Sequence, residues 1–205
     1  MLPSLSAPAP ERVVRPFRLL FVCTGNLHRS PLAERLLRAR LAAFPGRFEV
    51  SSAGTVGTTG TPMDPLAASL LVELGGDPRG ALARRLTAVH VEDSDLLLGA
   101  AAEHREAAVR LSPLWALRRA FTLREFARLL RPEDAAGVTD PAERAAALVR
   151  GAAARRGSAN GADDDDVADP HGAPAEAARE VALRIAESVE HIAAAVTAPP
   201  HDSRG

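Results

Sequence analysis

The stretch RLLFVCTGNLHRSPLAERLLRARLAAF, residues 18–44, decides the fold. Arg18 to Cys23 form an apolar run that suits a strand buried on both faces. A turn containing Gly25 follows. Ser30 suits the N-cap of a helix with Pro31 at its first position, and the helix is expected to reach about Ala43. Ala33, Leu37, Leu41 and Phe44 recur along one face of it. Pro45-Gly46 ends it. Strand, short turn, helix is the opening unit of a parallel α/β sheet.

Working outward, Arg47 to Gly54 reads as a second strand, Thr55 to Asp64 as a glycine- and threonine-rich loop, and Pro65 to about Leu74 as a helix closed by Gly75-Gly76. Asp93 to Ala100 is a third apolar run, followed by a helix from about Ala102 to Arg110. Ala120 to Leu123 is a weaker fourth strand that runs into the helical REFARLL. Alternation of this kind predicts a single α/β domain: a four-stranded parallel sheet with right-handed crossovers and helices on both faces. Ligands of such sheets bind beyond the carboxyl ends of the strands, where Cys23 falls.

The domain is expected over residues 17–197, with an insertion at about 132–162 made of a helix and a polar, acidic loop. From Pro174 to about Val196 a long amphipathic helix closes the fold, its stripe formed by Val181, Ile185, Val189, Ile192 and Val196. Residues 1–16 read as a disordered Pro/Ala/Ser tail without the apolar core of a secretory signal, and residues 198–205 as a frayed end.

The 205 residues carry a formal net charge of -1, with 46% apolar and 25% charged positions. That balance is ordinary for a globular domain and gives no field that would draw the molecule to nucleic acid or an anionic membrane. No apolar run approaches the ~18 residues of a spanning helix. All 25 basic residues are arginine, and asparagine occurs only at Asn26 and Asn160. This bias matches a GC-rich bacterial genome, and it makes an asparagine inside the main motif conspicuous. Cys23 is the only cysteine. An internal disulfide is therefore impossible, and a reducing cytoplasm is the expected setting.

Five residues separate Cys23 from Arg29. A curl of that length between a strand end and a helix start can turn successive backbone N–H groups inward. The helix adds its own free N–H groups and the positive end of its dipole. Such a nest suits a tetrahedral oxyanion, and Arg29 can complete it with a planar two-pronged donor. The same field favours the thiolate form of Cys23, and a thiolate beneath a cradled phosphorus is placed for in-line attack. Gly25 supplies backbone freedom. Asn26 tolerates positive φ and can bond the curl, and the Ser30 hydroxyl can donate to the sulfur. A cysteine at a strand end is more often buried filler; Gly25, Asn26, Arg29, Ser30 and Pro31 together favour the chemical reading. No cluster of His, Cys or carboxylates has metal-ligand spacing.

The segment VCTGNLHRSPLAE resembles the phosphate-binding loop of the low-molecular-weight protein tyrosine phosphatases. The resemblance extends through SSAGT at Ser51–Thr55, PMDPLA, and ADPHG near the C-terminus. It implies a flavodoxin-like fold of the phosphotyrosine phosphatase I type and a metal- and cofactor-independent phosphatase working through a phosphocysteine. It makes Cys23 the nucleophile and Arg29 the phosphate clamp, in a loop of Thr24, Gly25, Asn26, Leu27, His28, Arg29 and Ser30, with Asn26, Ser30 and Ser52 as supports. The expected partner is a phosphorylated protein, with a bacterial tyrosine autokinase as one candidate, and the expected state is a monomer.

Ester cleavage also needs a carboxylic acid to protonate the leaving group. Four Asp-Pro pairs offer one, at Asp64, Asp77, Asp140 and Asp169. Asp64 and Asp77 read as caps or turns and Asp140 as the N-terminal acid of a helix. The resemblance selects Asp169, which precedes Pro-His-Gly and the last helix. Asp163–Asp166 read as a solvated hinge whose charge could raise the proton affinity of Asp169. Two departures bear on substrate. His28 stands where many relatives have a second cysteine, and reads as a loop-facing structural residue. Val56-Gly57-Thr58-Thr59-Gly60 and His171 replace the usual aromatic walls. Two other activities fit the motif: arsenate reduction with an external low-molecular-weight thiol, and phosphate binding without turnover.

Overall fold

The computed structural model describes residues 15–156 and 165–199. Strand β1 (Phe17–Cys23) is its central element. Phe17, Leu19, Phe21 and Cys23 point into one apolar core and Leu20 and Val22 into another. A strand buried on both faces has to be apolar throughout, and this is why RLLFVC lacks the alternation of a half-exposed strand. Strands β2 (Phe48–Gly54), β3 (Leu96–Gly99) and β4 (Ala120–Thr122) complete a sheet of order β2-β1-β3-β4. All three pairings are parallel, and the register puts Cys23 opposite Gly54, Val22 opposite Gly99, and Gly99 opposite Thr122. The carboxyl ends of all four strands therefore share one edge. The order reverses at β1, so the crevice of the sheet opens beside Cys23.

Helices α1 (Arg29–Arg40), α2 (Pro65–Glu73), α6 (Leu123–Leu129), α7 (Pro141–Arg155) and α8 (Ala175–Thr197) contribute to the larger core. Helix α3 (Ala88–Glu92), α4 (Ala102–Leu111) and α5 (Pro113–Arg119) cover the opposite face. Val181, Ile185, Val189, Ile192 and Val196 of α8 are all buried. At roughly 1.5–3 kcal/mol for each fully buried aliphatic side chain, this stripe is what holds α8 to the sheet. Beyond a 3-10 turn at Pro132–Ala135, α7 buries Leu148 completely. Its buried Arg144 donates to the carbonyls of Ala135, Val138 and Ala195, which ties the segment to the end of α8. Among the described residues no helix is long and apolar enough to cross a membrane.

Several expectations shift. The third strand begins at Leu96, not Asp93, because Asp93–Asp95 complete the turn after α3. Helix α3 was not anticipated, and five residues are too short to show a period. Helix α5 was also missed, although Ser112-Pro113 announces it with proline at the first helical position. The identical dipeptide Ser30-Pro31 lies one residue inside α1, which already starts at Arg29 with His28 as N-cap. Ser30 is therefore not the cap of α1. Its hydroxyl lies in the loop instead, beside Cys23 and Asn26. The expected tails fall largely on residues 1–14 and 200–205, outside the described residues; Arg15 grips Asp95 with two hydrogen bonds of 2.8 and 2.7 Å.

Candidate active site

The curl between Cys23 and Arg29 is held by one asparagine. Asn26 has φ 57°, the only positive φ at a non-glycine among the described residues, and is 2% exposed. Its Oδ1 accepts from the Arg84 backbone N–H at 3.0 Å, which fixes the orientation of the amide. Its Nδ2 then donates to Ser30 Oγ at 2.9 Å and to Ser52 Oγ at 2.8 Å. Ser52 in turn donates to Glu34 Oε2 at 2.6 Å. A carboxylate can only accept and an amide nitrogen can only donate, so the proton directions follow. Ser30 Oγ accepts from Asn26 and lies 2.9 Å from Cys23 Sγ, with the Ala53 carbonyl 3.5 Å away as a second acceptor for its hydrogen. The expected supports Asn26, Ser30 and Ser52 are thus brought together. Glu34 and Arg84, which the sequence did not single out, complete the set.

No side chain caps α1, so the positive end of its dipole is left to the loop. Glycines let the loop lie close to β2. A Cβ on Gly54 would stand 2.7 Å from the Thr24 carbonyl oxygen and 2.9 Å from Asn26 N, and one on Gly57 would stand 2.6 Å from the Gly25 carbonyl oxygen. Gly54 is the last residue of the SSAG segment, and this contact is the physical reason for glycine there.

Arg29 is 5% exposed and its guanidinium has three partners. Nη1 donates to the Val167 carbonyl at 3.0 Å, and Nη2 to Thr24 Oγ1 at 3.1 Å and to Asp169 Oδ2 at 2.6 Å. Asp169 also accepts from the His171 backbone N–H at 3.1 Å. The segment that carries Asp169 is strapped across the strand ends. Thr122 Oγ1 donates to the Asp165 carbonyl, Ala102 N to Asp166 Oδ1, and Val167 N to the Ala100 carbonyl, at 3.0, 2.8 and 2.7 Å. Arg128 holds the Asp165 carboxylate at 2.6 Å. The expected solvated hinge is corrected for Asp165, whose carboxylate Arg128 holds; Asp166 is exposed and accepts from the start of α4, and Asp163 and Asp164 lie outside the described residues.

Cys23, Arg29 and Asp169 line one cavity of about 400 Å³. Leu27, Val56, His28 and His171 contribute to its walls, and no Phe or Trp does. His28 Nε2 lies 3.4 Å from Asp64 Oδ2. Burial pushes the His28 imidazole below its ordinary value, against the pull of Asp64 and Asp169. Asp64 accepts from the N–H groups of Leu66 and Ala67 as the cap of α2. Asp77 closes a turn with Arg79. Asp140 caps α7, accepting from Glu143 N, and pairs with Arg47. None of the three reaches Cys23 or Arg29. Among the described residues no group of three or more His, Cys, Asp or Glu could hold a metal ion.

The model of the low molecular weight phosphotyrosine protein phosphatase family matches residues 18–153. Asp169 lies beyond that stretch. The low molecular weight protein-tyrosine-phosphatase Etp of Escherichia coli K12 is 41% identical over 95 residues, 46% of this chain and 62% of that protein. A protein-arginine-phosphatase of Geobacillus stearothermophilus is 34% identical over 111 residues, 54% of this chain and 72% of that protein. The matched stretch thus spans somewhat under two thirds of the first of these relatives. The solved YwlE arginine phosphatase from Geobacillus stearothermophilus superposes with a TM-score of 0.63 at 27% identity, covering 87% of this chain and 91% of that one.

Proposed function

The chain belongs to the low molecular weight phosphotyrosine protein phosphatase family, and from that premise we propose that it hydrolyses phosphomonoesters, protein phosphotyrosine foremost, through a phosphocysteine intermediate. The observation that carries this reading is the convergence of Cys23, Arg29 and Asp169 on one cavity at the carboxyl edge of the sheet. The Cys23 sulfur attacks phosphorus in line. Loop amides and the α1 dipole take up charge on the equatorial oxygens, where it spreads most in the transition state. Asp169 gives its proton to the leaving oxygen, then takes one from the water that cleaves the phosphocysteine. The Ser30 hydroxyl, 2.9 Å from the sulfur, stabilises the departing thiolate.

The Arg29–Asp169 pair sets the order of events. An arriving phosphoryl dianion competes for the same guanidinium, so substrate frees Asp169 and brings a compensating negative charge next to it. A lone nucleophilic thiol has to stay reduced, which fits the cytoplasm, and a phosphorylated protein is the partner this reading requires.

Wall chemistry bears on the substrate. Leu27 and Val56 offer apolar contact to an aryl ring without the stacking of an aromatic wall. The Asp169 carboxylate on the cavity wall would equally suit a cationic phosphoguanidinium group, and one relative is named a protein-arginine-phosphatase. The test is a panel of phosphotyrosine, phosphoserine and phosphoarginine peptides, with arsenate plus thiol as a further arm. Wild type is expected to release phosphate fastest from phosphotyrosine, and Cys23→Ser to release none while still binding phosphate. Faster release from phosphoarginine would reassign the substrate. Turnover only of arsenate, or binding of phosphopeptide without any turnover, would sink the phosphatase reading.

A further inference from the structure

We propose that His104, through Thr24, is a positioning residue that adds a hydroxyl donor to the anion-binding loop; this rests on the reading of that loop as a phosphate cradle. His104 lies on α4, far from the loop in sequence, and is 1% exposed. The backbone N–H of Ala101 donates to its Nδ1 at 3.0 Å. An Nδ1 that accepts carries no proton, so the neutral ring bears its hydrogen on Nε2. Nε2 lies 3.0 Å from Thr24 Oγ1 and 3.4 Å from the exposed Glu103 Oε1. Burial and the Arg29 charge push His104 below its ordinary value, in keeping with a neutral ring of this tautomer.

Thr24 Oγ1 consequently accepts two hydrogens, one from His104 Nε2 and one from Arg29 Nη2 at 3.1 Å. A hydroxyl has two lone pairs and one proton. With both lone pairs occupied, Thr24 has only its own O–H left to give. Among the described residues nothing else bonds Oγ1, and Thr24 lines the cavity beside Cys23 and Arg29. The fourth direction around that oxygen therefore serves the anion. Without His104 the hydroxyl could rotate and turn a lone pair toward the anion, an unfavourable contact in place of a favourable one. Arg29 would also lose a fixed partner that sets the plane of its guanidinium.

The test is the affinity of the full chain for inorganic phosphate, measured by calorimetry, with aryl phosphate turnover read beside it. Thr24→Val removes the hydroxyl and is expected to weaken phosphate binding about 10–100-fold, the range of one hydrogen bond to a charged group. His104→Asn keeps an acceptor near Nδ1 but does not reach Thr24, and should weaken binding about tenfold. His104→Gln places an amide N–H near the Nε2 position and should restore most of the affinity. Thr24→Val with His104→Asn should bind no worse than Thr24→Val alone. Full affinity in Thr24→Val or His104→Asn, failure of rescue by Gln, or additive losses in the double variant would overturn the proposal. If His104→Asn does not fold, Thr24→Val and His104→Gln decide it. A wild type that binds phosphate with this pattern but hydrolyses no ester would sink the proposed activity and leave this inference standing.

Discussion

At the residue scale, Asp169, selected by the resemblance, and Asp140, read as a helix acid, have opposite surroundings. Asp140 caps α7 and pairs with Arg47, whereas Asp169 is bonded to the Arg29 guanidinium in the cavity that Cys23 lines. Asp169→Asn should lower aryl phosphate hydrolysis about 10²–10⁴-fold, the usual share of a general acid. Asp140→Ala should cost about 1 kcal/mol of stability as a lost helix cap and leave turnover unchanged. Steady-state kinetics and denaturant melts of the two variants check this, and a turnover loss in Asp140→Ala would reverse the assignment. Cys23, Asn26, Arg29 and Ser30 were legible because a five-residue curl leaves few ways to arrange a thiol, an amide and a guanidinium around an anion. Glu34, Arg84 and His104 were not. Each acts through a contact with a residue distant in the chain; Glu34 closes the local string but reveals its role only when Ser52 meets it, and Arg84 and His104 lie outside that string.

At the element scale, the loop owes its shape to the strand beside it as much as to its own sequence. The last residue of β2 leaves no room for a side chain against the Thr24 carbonyl. Gly54→Ala removes no reacting group and no hydrogen-bonding side chain, yet the added methyl would meet backbone, which cannot swing aside as a side-chain tip can. The loop has to move. Misplacement of this kind can cost about 10²-fold in rate, so Gly54→Ala should lose about that much in kcat/KM on an aryl phosphate while its far-ultraviolet circular dichroism stays that of the wild type. Wild-type turnover would show that the loop accommodates the methyl. The strands themselves were readable from apolar runs, since a doubly covered parallel sheet leaves few polar positions inside it. Short α3 and α5 were not, because one or two turns carry too few residues to display a period. Asp165 was misjudged for a related reason: an acidic run looks solvated until the arginine that meets it is in place.

At the scale of the whole molecule, the sheet buries imidazoles along with its apolar side chains. Burial lowers the proton affinity of His28, His90 and His104 below the ordinary value near 6.5. In the unfolded chain each takes up its proton as the pH falls through 6.5; in the fold each resists until lower pH. The unfolded state then binds more protons, so stability rises with pH across that window, is fully present above 6.5, and drains away below it. The carboxylates act elsewhere. Asp77 is held down to about 2 by its hydrogen bonds from Arg79. Asp140 is lowered on balance, with burial opposing the hydrogen bonds from Arg47 and Glu143. Their contribution is lost only as the pH drops below the ordinary carboxylate value of 3.8. The two windows are separate, and the urea midpoint should therefore fall between pH 7.5 and pH 5.5, before Asp77 or Asp140 takes up a proton. His104→Gln removes the most deeply buried of the three rings and should flatten that fall, whereas an unchanged slope would mean that His104 takes up its proton within the folded molecule as readily as in the open chain.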